Sequence, residues 1–170
     1  RRGYLEMVRY LLPLYYTSPR DPFYNEKLWM TAAWKRDSEL LRVLVETGYE
    51  EWCEGRTPRP TRLQYLVSRG AEDTVFSDTM AMACDAGNVP GVDYLLGVEP
   101  GLYGDALGGA SLCDEPALME HLLRQRLPTD EEYARAFSIA SEEIQLTALR
   151  RLVDLRTPST ECLWEAMCCA

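Results

Sequence analysis

The segment GNVPGVDYLL, residues 87–96, decides how the chain is read. Proline is tolerated in the first turn of a helix, where its missing N–H would have no partner, so a helix starting near Pro90 accommodates Val92, Tyr94, Leu95 and Leu96. Immediately upstream, SDTMAMACDA (77–86) reads as a second helix, separated from the first by the tight Gly87-Asn88 turn. The two form a helical hairpin. What matters for the fold is whether that hairpin recurs.

It does recur. LEMVRYLL (5–12), SELLRVLV (38–45), VPGVDYLL (89–96), PALMEHLL (116–123) and LTALRRLV (146–153) share one phrase. Each is apolar at its third or fourth place and again at its last two, the spacing of one helix face. The fourth-place residues Val8, Leu41, Val92, Met119 and Leu149 fall 33, 51, 27 and 30 residues apart. The long interval has room for a further copy, PTRLQYLV (60–67) with Leu63.

Each phrase follows a shorter helix rich in small residues: KLWMTAAW, DTMAMACDAG, DALGGASL, RAFSIASEE and, at the end, CLWEAMCCA. Aligned on Ala32, Ala83, Ala110, Ala140 and Ala166, these place a bulky residue three positions earlier: Trp29, Met80, Leu107, Phe137 and Leu163. Small residues allow close helix approach, and the bulky residue fills the layer between hairpins. Helix starts are marked by Ser77 and Asp78, by the capping box Thr129–Glu132, and by Ser159 or Thr160 after Pro158. Four or five buried side chains do not offset the ordering of a hairpin of about 20 residues, so the units must stack on one another. The expected fold is all-α, a quasi-one-dimensional solenoid of helix-turn-helix repeats.

This pattern resembles the ankyrin repeat, whose second half runs from two small residues through a short turn into an outer helix. AWKRDSELLRVLVETG (33–48), ACDAGNVPGVDYLL (83–96) and LEMVRYLL carry the resemblance, which covers most of the chain outside about 49–60. No copy has the family's T-P-L-H opening, and only Gly87 fills the turn-glycine position. The 27-residue spacing predicts short or missing β-hairpin fingers. Tetratricopeptide and HEAT arrays are the competing helical-pair solenoids. The resemblance implies a single array over 1–170 of about five to six repeats, with an irregular insertion or degenerate repeat near 49–76. The chain opens inside an outer helix and closes inside an apolar inner one. We therefore expect both ends to be cut mid-repeat, with a longer chain or another subunit covering them.

Composition narrows the function. Acids outnumber bases 27 to 18, the net charge is −9 and the isoelectric point is near 4.7, which argues against a nucleic-acid partner. No window approaches a membrane span, so direct membrane insertion is not expected. The six cysteines, Cys53, Cys84, Cys113, Cys162, Cys168 and Cys169, form no C-x-x-C pair and have no histidine ladder beside them. They read as free thiols in a reducing intracellular compartment, most simply the cytoplasm, rather than as metal ligands or disulfides.

Enzymatic signatures are missing from the sequence. His121, the one histidine, lies among apolar neighbours with no nucleophile motif nearby, and a structural or surface role is expected for it. The pairs Glu131-Glu132 and Glu142-Glu143 sit where helices begin or turn. GDALGGASL (104–112) fits neither the G-x-G-x-x-G pattern nor the P-loop, and reads as close helix packing. No catalytic, cofactor-binding or metal residue is assigned.

Partner contact is expected instead from aromatic residues crowded into the first third and from the irregular loops. The candidates are Tyr15, Tyr16, Phe23 and Tyr24 in or beside LYYTSPRDPFY (14–24), and Trp34 at an inner-helix turn. Trp52, Arg56 and Arg59 in YEEWCEGRTPRPTR (49–62) complete the set. The expected function is a non-catalytic protein-interaction scaffold or a structural subunit of a larger assembly. The alternative is an accessory domain that recruits substrate for a longer enzyme or effector.

Overall fold

The computed structural model describes residues 2–16, 23–47, 53–55 and 73–169. Among these the chain is all-α, with no strand. Its helices are α1 (Arg2–Tyr16), α2 (Phe23–Trp34), α3 (Ser38–Glu46), α4 (Asp73–Asp85) and α5 (Val89–Val98). A 3₁₀ turn (Pro100–Leu102) then leads into α6 (Tyr103–Leu112), α7 (Pro116–Gln125), α8 (Asp130–Glu142), α9 (Leu146–Leu155) and α10 (Thr160–Cys169).

The packing follows chain order. α2 lies on α4, α4 on α6, α6 on α8 and α8 on α10, a row of short helices with small residues. Beside it α1 lies on α3, α3 on α5 and α7 on α9. The two rows are joined within each hairpin: α2 with α3, α4 with α5, α6 with α7, and α8 with α9. The hairpin α2–α3 is a direct neighbour of α4–α5, although the chain between them is long enough for another unit. The copy proposed around Leu63 lies outside the described residues.

The core contains most of the positions that the two alignments select, together with residues they did not, among them Phe76, Tyr103 and Tyr133. Ala32, Ala83, Ala110 and Ala140 are fully buried, and Trp29, Met80, Leu107 and Phe137 are buried with them. On the opposite row Leu41, Val92 and Met119 have no solvent exposure, while Val8 and Leu149 pack against the core from its edge. The register differs in the last short helix. The amide of Leu163 donates to the Ser159 carbonyl as that of Tyr133 does to Thr129, 30 residues earlier. Met167, not Leu163, therefore stands at the position of Phe137.

One turn is built four times. Arg36, Gly87, Asp114 and Ile144 all have left-handed backbones, with φ of 54°, 60°, 49° and 56°. After each, an amide reaches back five residues: Asp37 to the Ala32 carbonyl, Asn88 to Ala83, Glu115 to Ala110 and Gln145 to Ala140, at 2.8–3.1 Å. These are Schellman closures, which satisfy the free carbonyls at the helix end. The next residue starts the outer helix. Asp37 accepts the Leu40 amide at 3.1 Å, and Asn88 accepts that of Gly91 at 3.1 Å.

Ser77 and Asp78 do not begin a helix, contrary to the sequence expectation. α4 starts at Asp73, and the Ser77 hydroxyl donates 2.9 Å across to Asp105 on α6. A serine that reads locally as a cap thus serves a tertiary partner. Thr129 and Glu132 do form a complete capping box. The connections between hairpins, 126–129 and 156–159, are four residues each.

Candidate partner-binding surface

The turns and short connections leave each unit's side chains in a fixed register, so polar contacts repeat along the stack. Along the short-helix row, Asp105 accepts from Ser77 on one side and pairs with Arg135 at 2.7 Å on the other. Along the outer row, Arg9 faces Glu39 at 3.7 Å, and His121 and Gln125 converge on Asp93 at 2.7 and 2.6 Å. Arg151 pairs with Glu120 at 2.8 Å. His121 therefore bridges two hairpins.

A second repeated device closes the outer helices. The Tyr103 hydroxyl lies 3.0 Å from the Leu122 carbonyl and 2.7 Å from that of Arg126, while the Arg126 guanidinium stacks 3.6 Å from the ring centre. Thirty residues on, Tyr133 meets the carbonyls of Leu152 and Arg156 at 3.1 and 3.0 Å, with Arg156 3.9 Å over its ring. Each tyrosine caps the carbonyl end of its partner helix from the neighbouring row. Sequence reading missed this device. Its signal is Tyr followed 23 residues later by Arg-x-Pro, seen in both copies.

Arg126 also grips Glu132 through two bonds of 2.8 and 2.6 Å. That bidentate contact, then the Thr129 backbone amide, holds the Glu132 carboxyl down at about 2, against the opposing effect of its partial burial. The thiols move the other way. Burial, then the charges of Cys113 and Asp105, pushes Cys84 up to about 12. Burial and then Asp85 raise Cys113 to about 11. Neither is a thiolate at neutral pH, so neither is a ready nucleophile. Among the described residues, no three His, Cys, Asp or Glu side chains converge to hold a metal ion. No described helix is long and apolar enough to cross a membrane.

The predicted contact residues fall in different places. Tyr15 and Tyr16 end α1, and Phe23 and Tyr24 begin α2. Trp34 ends α2 and is 53% exposed. Eleven residues of helix, about 16 Å along the axis, separate it from Phe23, so Trp34 belongs to the turn edge and the other four positions do not. Trp52, Arg56 and Arg59 lie outside the described residues.

The turn edge carries another group that sequence reading did not single out. Leu112, Ile144 and Leu146 are 42%, 66% and 60% exposed, on two successive turns. The Gln145 side-chain amide donates 2.8 Å to the Leu112 carbonyl, and the Ala148 amide donates 2.9 Å to Asp114, fastening the turns together. The available signal was an isoleucine where the repeat alignment calls for the turn glycine.

What the geometry provides among the described residues is a surface with repeated internal fastenings. No protein-family model matches this chain, and no curated protein or solved structure is similar to it.

Proposed function

We propose that the chain is an ankyrin-like solenoid that acts as a non-catalytic protein-interaction scaffold, or as a structural subunit of a larger assembly. The observation that carries this reading is the left-handed turn built four times with the same hydrogen bonds, each hairpin lying on the next in chain order. Four-residue connections after α7 and α9 fit an array whose fingers are reduced to tight links. Such a stack holds its surface in one shape before a partner arrives, so little conformational freedom of the scaffold is lost on binding. The acidic balance suits a protein partner better than a nucleic acid.

Crosslinking mass spectrometry on the native assembly tests the proposal. Links from this chain to a second protein, recurring on the same face across preparations, are the expected result. Intramolecular links alone would overturn the scaffold reading.

A further inference from the structure

We propose that Leu112, Ile144 and Leu146 form a docking ridge for an amphipathic helical segment of a partner protein, one presenting apolar side chains flanked by lysine or arginine. This rests on the scaffold reading and gives that scaffold a surface and a partner chemistry.

Three observations converge on the ridge. The first is its continuity: side-chain and backbone bonds join the 112–114 and 144–148 segments, so three exposed apolar side chains sit on one fastened edge. Exposed apolar groups grouped in this way, rather than scattered singly, mark interaction surfaces.

The second is strain. Of the four left-handed turn positions, Gly87 is at ease, whereas Ile144 is β-branched and holds a φ of 56° with most of its surface in water. Burial does not compensate for that backbone, and glycine would serve the turn better. Strain at an exposed apolar side chain points to a use outside the fold.

The third is charge. In sequence Asp114, Glu142 and Glu143 adjoin the ridge residues, and no lysine or arginine occurs within 112–117 or 141–149; the Arg36 guanidinium lies by Gly87 on the preceding turn. A cationic rim on the partner complements this border, whereas an acidic one is repelled. A helix with apolar residues three and four apart would lay one face along the ridge and its basic residues on the acidic margins.

The probe is a synthetic amphipathic Leu/Lys peptide of about 18 residues, with a Leu/Glu peptide of the same pattern as control. Backbone amide shifts of the isotope-labelled chain locate binding. Shifts centred on 112–116 and 142–148 are expected with the Leu/Lys peptide and none with Leu/Glu. Ile144→Gly, which suits the turn, and Leu146→Ser are each expected to weaken binding about fivefold or more, the loss of a contact of about 1 kcal/mol. Shifts centred elsewhere, no binding, or affinities unchanged in both variants would overturn the ridge, and crosslinks to a partner would still leave the scaffold reading intact. Peptide binding at the ridge with no partner crosslinked in the native assembly would overturn the scaffold reading instead.

Discussion

At the scale of single residues, the four turns compare one backbone conformation across four side chains. A left-handed backbone costs a non-glycine residue about 1–2 kcal/mol, and glycine's extra freedom in the unfolded chain returns about 0.5–1 kcal/mol of that on substitution. Ile144 is mostly exposed, so little burial is lost when its side chain is removed. Ile144→Gly is therefore expected to stabilise the fold by about 0.5–1 kcal/mol, raising the melting temperature by about 1–4 °C. In Gly87→Ala the new Cβ would meet the Arg36 guanidinium at 3.1 Å and would take on the left-handed penalty, so its melting point should fall. Thermal unfolding of both variants checks the pair, and a loss of stability in Ile144→Gly would show that its backbone is not strained. Gly87 was legible in the sequence because glycine advertises a positive φ. Arg36, Asp114 and Ile144 were not, since the closure around them, made by backbone groups of the whole turn, overrides their own preference. Asn88 shows the same limit: its capping oxygen could be read locally, but its amide, 2.9 Å from the Ala33 carbonyl in the neighbouring hairpin, could not.

At the scale of elements, helix ends explain which features the sequence disclosed. Thr129 and Glu132 are three residues apart, so their capping box is a local pattern and was readable. Tyr103 and Tyr133 cap helices that end about twenty residues later, and nothing near either tyrosine announces it. Glu132 belongs to both kinds, because Arg126, drawn over Tyr103, adds a cross-element partner to the local box. Its folded pKa, about 2, lies below the ordinary glutamate value of 4.5. The stabilisation it gives is thus fully present above pH about 4.5 and is lost as the pH falls towards 2. Water at this partly exposed site screens the contact, leaving about 1–2 kcal/mol. Denaturant titrations from pH 6 to pH 2.5 should show that decline in the wild type and a flatter profile in Glu132→Gln. Equal slopes in the two proteins would show that the Arg126 contact does not set the acid response.

At the scale of the whole molecule, the all-helical fold was legible because its signal is repeated: most of the periodic apolar positions of the two helix alignments that are described lie in the core or against it, with Leu11, Val153 and, in α10, Leu163 exposed. The surface was less legible. Exposed aromatics are common in sequence, and only the placement of Trp34 at one end of α2 separates it from Phe23 and Tyr24 at the other. Stacking in chain order has a mechanical consequence that distinguishes the proposed solenoid from a fold with one central core. In an array, each unit is supported by its neighbours, and damage at one interface spreads outward with decreasing effect. Gly109 provides such an interface, since a Cβ placed there would come within 3.0 Å of Cys84 Cβ and 3.1 Å of its Sγ, where α6 meets α4. Gly109→Leu inserts a larger side chain and must push the two helices apart, which overpacking data place at about 1–3 kcal/mol. Hydrogen exchange should then show protection lost most in α4 and α6, less in α2 and α8, and least in α10. Loss of the same size in every helix would mean that the units unfold as one body, and the one-dimensional reading of the stack would fall with it.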